Sequence, residues 1–302
     1  FNGLAYRSTT QTMNQGVYRV GINPRYKLQV NGLDLTLGVK LNYAWGAGTG
    51  LYDIQSGFQI APDLTARVVV KEKKCVLTIG VTGDNVLARY NQLVYKSHFI
   101  APNRVCNAKI PYSVRLGLSG NIGRVFDYNI YGFFSAARST PLYQVSYISS
   151  LGGYASQFSF TDFSRAGGHI DLSLYFKAVR FHTEWEAAYS WFRKGVPAET
   201  TIGTFLPAVC KSYSSLDFNV SRRIIIGLDL EFRTSMKASA EGEVNQLIIP
   251  HYENLGFKME WKTARNLSLW LRGRNLLCQS IQYTPLYGEK GLSFTAGILW
   301  RF

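Results

Sequence analysis

The C-terminal stretch Gly291–Phe302, GLSFTAGILWRF, alternates apolar residues with small, polar or charged ones, broken once by Leu299. The apolar set of this alternation is Leu292, Phe294, Ala296, Ile298, Trp300 and Phe302. A period of two residues predicts a β-strand with one apolar face. If the same alternation recurs along the chain, we expect the apolar face to lie on the outside of a membrane β-barrel.

The alternation does recur, and its second face is strongly charged. In Ile224–Arg233, large aliphatic residues and phenylalanine alternate with glycine, Asp229 and Glu231. Leu255–Trp261 and Ile170–Phe176 show the same arrangement. Burying an unpaired charge costs at least several kcal/mol. A dry core between two packed sheets is therefore excluded, and the charged face must meet water or pair internally.

Short turns alternate with long polar loops. Asn31–Gly32 is the strongest two-residue hairpin signal. The other predicted short turns are at 71–73, 120–124, 177–180, 221–223 and 262–266. The predicted loops are 10–16, 46–55, 84–111, 139–166, 194–210, 237–250 and 279–290. Six turns and seven loops predict an all-β, antiparallel transmembrane barrel of about fourteen strands, with both termini on the periplasmic, short-turn side.

The composition of the 302 residues fits this prediction and limits the partners. No apolar run reaches the roughly 18 residues of a membrane helix, so a membrane crossing needs a closed barrel. The net charge of +14 comes from basic residues at strand ends and turns, and no basic helix or aromatic-basic motif is present. We therefore expect no nucleic-acid partner. The chain opens on Phe1 without a secretory signal, which favours a processed or partial chain.

The charged face predicts a network of side chains along the lumen. Its members are Glu184, Glu186, Asp217, Asp229, Glu231, Arg233, Lys258, Glu260, Arg272 and Arg274. Opposite charges on neighbouring strands can pair along the wall and satisfy one another. Alternatively, they form a charged eyelet that selects a solute. Trp270 shares this face, so we expect its ring to point inward as well.

The predicted turns carry a surplus of positive charge. The basic turn residues are Lys71, Lys73, Lys74, Arg124, Lys177, Arg180, Arg222, Arg223, Lys262 and Arg265. They are either solvated turn residues or a surface for anionic lipid headgroups or an acidic periplasmic protein. The partners expected for such a barrel are outer-membrane lipid and lipopolysaccharide, together with protein partners in an outer-membrane complex.

Cysteines and histidines give no sign of a metal centre or an active site. The four cysteines lack CxxC spacing and a nearby histidine, which argues against a zinc site. Cys75 falls on an apolar strand face, whereas Cys106, Cys210 and Cys278 lie in or near loops, where the choice of a disulfide pair stays open. His169 and His182 lie in strands beside carboxylates, as wall charges do. We expect no enzyme, no metal and no cofactor, because catalytic motifs such as GxSxG and HExxH are missing.

The end of the chain resembles two kinds of outer-membrane sequence. Phe294, Ile298, Trp300 and Phe302 resemble the C-terminal membrane-insertion signal of bacterial outer-membrane proteins. The longer segment Arg274–Phe302, RNLLCQSIQYTPLYGEKGLSFTAGILWRF, resembles the end of the barrel of TonB-dependent receptors. The matching residues are Asn275, Leu276, Leu277, Pro285, Phe294 and Phe302. Gly288–Gly291 departs from the Pro-Gly-Arg that the receptors often carry there.

This resemblance implies a receptor-like barrel in the outer membrane of a Gram-negative bacterium. Such receptors have 22 strands and an N-terminal plug, whereas this chain has room for about fourteen strands and shows no globular plug sequence before its first hairpin. We expect residues 1–302 to form a single outer-membrane barrel domain.

Three functions remain open at this point. The first is a plug-less, receptor-like barrel that serves as an accessory or scaffold subunit of an outer-membrane complex, favoured by the paired lumen charges and the two long loops 84–111 and 139–166. The second is a passive channel or transporter for a small or hydrophobic solute, similar to the long-chain fatty acid transporters, with porin-like conduction. The third, a barrel enzyme, lacks a catalytic constellation.

Overall fold

The computed structural model describes residues 2–7, 14–48, 57–71, 75–87, 107–148, 152–239, 247–264, 266–289 and 291–300. Nearly all of them lie in β-strands. The first eight strands are β1 (Asn2–Arg7), β2 (Asn14–Ile22), β3 (Arg25–Val30), β4 (Leu33–Gly48), β5 (Gly57–Lys71), β6 (Cys75–Leu87), β7 (Asn107–Ile122) and β8 (Phe126–Ile148).

The second half of the chain continues in the same way. Its strands are β9 (Gly153–Tyr175), β10 (Val179–Phe192), β11 (Cys210–Asn219), β12 (Ile224–Arg233), β13 (Met236–Lys237), β14 (Ile248–Ile249), β15 (Tyr252–Ala264), β16 (Leu267–Arg274), β17 (Ile281–Thr284), β18 (Tyr287–Glu289) and β19 (Ser293–Trp300). One short helix, α1 (Ala198–Thr201), precedes β11. Within the described residues, no helix has the length and apolar character needed to cross a membrane.

One large antiparallel sheet dominates the fold. Its hydrogen-bonded path runs β1-β2-β4-β5-β6-β7-β8-β9-β10-β11-β12-β15-β16-β19, with β3 paired to β4 beside the path. β2 and β3 both pair with β4 and are separated only by Asn23 and Pro24, where proline lacks the N–H that a ladder needs. The predicted fourteen-strand antiparallel architecture is confirmed. In the described part of the chain, no pairing joins β1 to β19.

The short turns fall where the sequence predicts them, and we call their end of the sheet the turn side and the opposite end the loop side. Asn31 and Gly32 both have positive φ, of 41° and 84°, as a tight hairpin turn between β3 and β4 requires. Gly123 likewise turns β7 into β8 with a φ of 68°.

The predicted loop 139–166 is wrong. β8 and β9 continue through it as one long hairpin, paired from Phe126↔Leu174 to Ile148↔Gly153. A bulge interrupts this hairpin between Ala137 and Thr140. There Ser139 has a φ of 49°, and its N–H donates to Asp162 Oδ1 at 2.9 Å.

The two faces of the sheet differ in chemistry, as predicted. Residues directly opposite each other in antiparallel strands share a face. Leu228 and Leu230 are exposed on one face of β12, while Asp229 between them is buried on the other. The face with the exposed apolar side chains suits lipid, and we call the charged face the concave face.

Above the loop side, several segments pack together on a small apolar core. We call them the loop layer: residues 140–148 and 152–161 of the β8–β9 hairpin, 198–209, 236–239 with 247–249, and 281–289. Val145, Phe205, Met236 and Ile249 form the core. Backbone bonds tie the layer together, including Val145 N–H to Gly203 O at 2.9 Å and Ser239 N–H to Thr204 O at 3.0 Å.

Candidate functional site on the concave face

The ten charges singled out from the sequence share the concave face. The register opposes Glu186 to Lys211, Lys211 to Arg233, and Lys258 to Arg272, and the remaining members lie at intervals of two residues along the same strands. Placement on one face follows from the two-residue period. The register therefore brings these side chains to one wall, and the contacts between them differ from place to place.

Glycines on the middle strand allow charges two strands apart to meet. Lys258 Nζ on β15 lies 2.8 Å from Asp217 Oδ1 on β11, across Gly227 of β12. A Cβ at Gly227 would lie 2.4 Å from both the Asp217 carboxylate and the Lys258 stem. Arg25 and Asp63 pair in the same way across Gly38. The concave side chains therefore connect alternate strands as well as neighbours.

A second group surrounds Glu186 on β10. Arg165 Nη1 lies 2.7 Å from Glu186 Oε1, and Lys211 Nζ lies 3.4 Å from the same oxygen. Glu186 is thus neutralised by two cations on the strands that flank β10. Next to it, the Tyr131 ring stacks on His169 with centroids 4.6 Å apart, and the Arg115 guanidinium lies over Tyr131 at 4.1 Å.

At the loop side, Arg233 and Tyr252 join the wall to the loop layer. The Tyr252 hydroxyl donates to Glu231 Oε1 at 2.5 Å, and the Arg233 guanidinium lies over the Tyr252 ring. Arg233 Nη2 also donates to the Gln282 carbonyl at 2.6 Å. The β17–β18 hairpin is therefore held against the end of the wall.

The β8–β9 hairpin also contacts the β17–β18 hairpin, although several strands of the sheet lie between them. Five strands lie between β8 and β16, the strand that precedes the β17–β18 hairpin. Six steps of about 4.8 Å would separate these elements by roughly 29 Å in a flat sheet. Nevertheless, the Tyr143 and Thr284 side chains are hydrogen-bonded. The loop layer therefore lies across the concave side of a curved sheet.

Tyr143 is enclosed at this junction. Burial raises the pKa of the Tyr143 phenol, while the Thr284 hydrogen bond and the charge of Arg233 act in the opposite direction. The hydroxyl stays protonated at neutral pH, so its bond to Thr284 persists under physiological conditions.

Six of the ten predicted charges make no ion pair within the described residues. Glu231 and Arg233 make hydrogen bonds instead. Asp229 is buried over Gly256, and its Oδ1 has no hydrogen bond in the described part of the chain. Glu260 Oε1 is likewise unpartnered there. Arg272 and Arg274 are exposed on β16. Lys258 pairs with Asp217 rather than with its neighbours, because Arg272, directly opposite, carries a like charge.

The histidine pairs do not form a catalytic relay. Ser173 Oγ lies 3.0 Å from His182 Nδ1, and Asp171 Oδ1 lies 3.5 Å from the same nitrogen. A Ser-His-Asp triad needs the nucleophile and the carboxylate on different ring nitrogens. His169 Nε2 faces Glu184 at 3.8 Å. Among the described residues, no group of His, Cys, Asp and Glu could hold a metal ion.

The turn side exposes its basic residues. Arg124, Lys177, Arg222, Arg223 and Lys262 are exposed, and within the described residues they make no ion pair. Arg180 faces Asp217 in the register and lies over the Tyr175 ring at 5.4 Å. The side chains of Lys71, Lys73, Lys74 and Arg265 lie outside the described part of the chain.

The remaining predicted residues lie as follows. Phe294, Ile298 and Trp300 are strongly exposed on the apolar face of β19, while Phe302 lies outside the described residues. Cys210 and Cys278 are free thiols, as is Cys75, and Cys106 is outside the described part. No disulfide therefore joins Cys210 to Cys278.

Sequence reasoning missed Arg165, Lys211 and Tyr252, which complete the wall. Arg165 lies in the stretch predicted as a loop. Lys211 and Tyr252 lie within the first two residues of β11 and β15. Extending the two-residue period by one or two positions at the loop side would have found Lys211 and Tyr252. The bridging glycines also had a signal, since each occupies a charged-face position within a strand.

The comparisons with known proteins agree on the fold. No protein family and no curated protein matches the sequence. Among solved structures, the chain is similar to the FrpB iron transporter from Neisseria meningitidis, with a TM-score of 0.68 and 12% identity over 97% of this chain and 46% of that one. It is similar to the siderophore receptor PirA from Acinetobacter baumannii, with a TM-score of 0.64 and 13% identity over 96% and 46%.

The ferric-catecholate import receptor Fiu from E. coli K12 is also similar, with a TM-score of 0.68 and 13% identity over 96% of this chain and 45% of the receptor. The chain spans less than half the length of these three proteins. At this identity the likeness establishes the fold, which is that of outer-membrane receptor barrels, and the predicted resemblance to TonB-dependent receptors is confirmed. The outer-membrane localisation predicted from the sequence agrees with this fold.

Proposed function

We propose that this chain, which has the fold of outer-membrane receptor barrels, forms the wall of a barrel that takes up a small solute. The supporting observation is the loop layer, which lies across the mouth of a charged concave face and is tied to it by Arg233 and Tyr143. A wall that serves only as a scaffold has no need of such a layer above a polar lumen. The structurally similar proteins are named as a transporter and as receptors, which fits uptake.

Ion selectivity tests this proposal. Arg272 and Arg274 are exposed on the concave face, beside Lys258, so a conducting lumen should favour anions. We expect the double variant Arg272→Ser/Arg274→Ser to shift the reversal potential of the purified chain in a planar bilayer toward cation selectivity. A reversal potential that does not change would argue against a conducting lumen at this wall.

A second function, as an accessory or scaffold subunit of an outer-membrane complex, is favoured by the turn side. Its arginines and lysines are exposed and lack ion pairs within the described residues, which suits an acidic periplasmic protein. The long loop 139–166, which favoured this function in the sequence, does not exist as a loop. The same basic surface would also lie near anionic lipid, and lipid with lipopolysaccharide would surround the apolar face.

Copurification separates the scaffold function from uptake alone. We expect Arg222→Glu/Arg223→Glu to remove a periplasmic partner from the purified chain, because reversed charges repel an acidic surface. The matched control is Arg193→Glu/Lys194→Glu, an adjacent basic pair at the loop side of the chain. If the turn-side variant still copurifies with the same partners, these arginines are only solvated turn residues. Loss of partners in both variants would indicate a general effect of charge.

A further inference from the structure

A cavity of about 280 Å³ opens on the concave face, next to the contact of Arg233 with Gln282 of the loop layer. The middle of β10 and the loop-side ends of β11, β12 and β15 line it, and its charged side chains are Glu184, Glu186, Lys211, Glu231 and Arg233. Pockets for drug-sized ligands have volumes of about 300–1,000 Å³. The volume of this cavity therefore suits a solute of the size of an amino acid or a dipeptide.

Three of these five charges are already engaged. Glu186 has Arg165 at 2.7 Å, and its side chain is only 15% exposed. Glu231 accepts from the Tyr252 hydroxyl, and Arg233 donates to Gln282 in the β17–β18 hairpin. These contacts hold three of the charged side chains that line the cavity in place, so this part of it is preorganised.

The other two charges, Glu184 and Lys211, remain open to a ligand. The Glu184 side chain is 49% exposed, and its contact with His169 is 3.8 Å long. The Lys211 side chain is 56% exposed and shares Glu186 with the closer Arg165. The cavity thus presents one available carboxylate and one available ammonium group.

Glu184 and Lys211 lie on adjacent strands, close enough for one small solute to reach both. Glu186 lies directly opposite Lys211, and Glu184 opposite Tyr213, so Glu184 and Lys211 are diagonal neighbours on adjacent strands. The Cα atoms of diagonal neighbours are about 7–8 Å apart, and the long Glu184 and Lys211 side chains extend from them into the cavity. Two extended residues span about 7 Å, so flexible side chains on two adjacent strands can reach both ends of a dipeptide.

We propose that this cavity binds a small zwitterionic solute, with an ammonium group on Glu184 and a carboxylate on Lys211. A solute with a single charge could pair with Glu184 or with Lys211 but not with both. It would therefore lose one ion pair and bind more weakly than a zwitterion. The assignment deepens the proposed uptake function and rests on it for the use of the site.

Equilibrium binding to the full chain in detergent tests the assignment without requiring transport. The probe is radiolabelled glycylglycine, compared with N-acetylglycylglycine and glycylglycinamide, each of which lacks one charge. We expect glycylglycine to bind about tenfold more tightly than either analogue, as a partly desolvated ion pair provides. Glu184→Gln should abolish the preference over the acetylated analogue, and Lys211→Met the preference over the amide.

The matched control is Glu253→Gln, which neutralises an exposed carboxylate on the opposite face of β15 and should leave all three affinities unchanged. Heat-modifiable migration of each variant verifies that the barrel is folded. Equal affinity for the three compounds, or discrimination that survives in Glu184→Gln and Lys211→Met, would overturn the assignment. If glycylglycine binds as expected but Arg272→Ser/Arg274→Ser does not change the reversal potential in the bilayer, the binding site is upheld and conduction through the lumen is rejected.

Discussion

At several places on the concave face, a glycine lies between two larger side chains or directly beneath one. Gly38 and Gly227 separate the ion pairs Arg25–Asp63 and Asp217–Lys258. Gly297 lies under the Trp270 ring. The inward direction of Trp270 follows from the two-residue period, but its packing partner does not, because the pairing of β16 with β19 is a tertiary property.

Gly297→Val should therefore destabilise the C-terminal strand pair. A Cβ at position 297 would lie 2.5 Å from the Trp270 ring, so the ring must move or the strands must separate. Overpacking of this kind costs about 1–3 kcal/mol. Denaturant unfolding in detergent, followed by tryptophan fluorescence, measures the loss. Gly291→Val is the control, because a Cβ there meets no atom within 4 Å, and equal destabilisation of both variants would contradict the role of Trp270.

At the scale of elements, the strands inside the membrane are predictable and the upper part of the β8–β9 hairpin is not. Lipid imposes an apolar face on a spanning strand, which makes the period of two visible. Above the membrane no lipid imposes it, so residues 139–166 carry serine, threonine, glutamine and glycine on both faces and resemble a loop. The bulge at Ser139 shifts the register as well and obscures the remaining periodicity.

The loop layer should loosen when the Tyr143–Thr284 contact is removed. Thr284 is buried, with 5% of the residue exposed. Thr284→Val keeps the shape and β propensity of the side chain but deletes the hydroxyl that bonds to Tyr143. The loss of one hydrogen bond, about 0.5–1.5 kcal/mol, corresponds to about a two- to tenfold rise in local opening. Limited proteolysis within 281–289 measures that opening. Thr295→Val, an exposed threonine on β19, is the matched control, and equal cleavage of the two variants would show that Thr284 does not hold the hairpin.

At the scale of the molecule, strand number, strand direction and the division into two faces follow from the sequence, because they are set by local turns and by the period of two. The pattern of contacts on the concave face depends on which strands are neighbours and on the curvature of the sheet. The sequence therefore identifies Asp217 and Lys258 as wall charges but does not pair them across an intervening strand. The same limit applies to the loop layer, whose parts come from four separate segments.

Because β19 has a lipid face and a concave face, the same substitution should have different effects at two adjacent residues. Ile298 is 70% exposed on the apolar face, whereas Leu299 opposes Ser268 on the concave face. A lysine on the lipid face costs about 2–4 kcal/mol at the membrane midplane and less near the interfaces, while a lysine on the concave face meets water. Ile298→Lys should therefore lower the heat-modifiable, folded fraction in outer-membrane preparations, and Leu299→Lys should leave it near that of the native chain. Equal losses would mean that β19 does not face lipid through Ile298, and the assignment of the two faces at this end of the sheet would have to be reversed or abandoned.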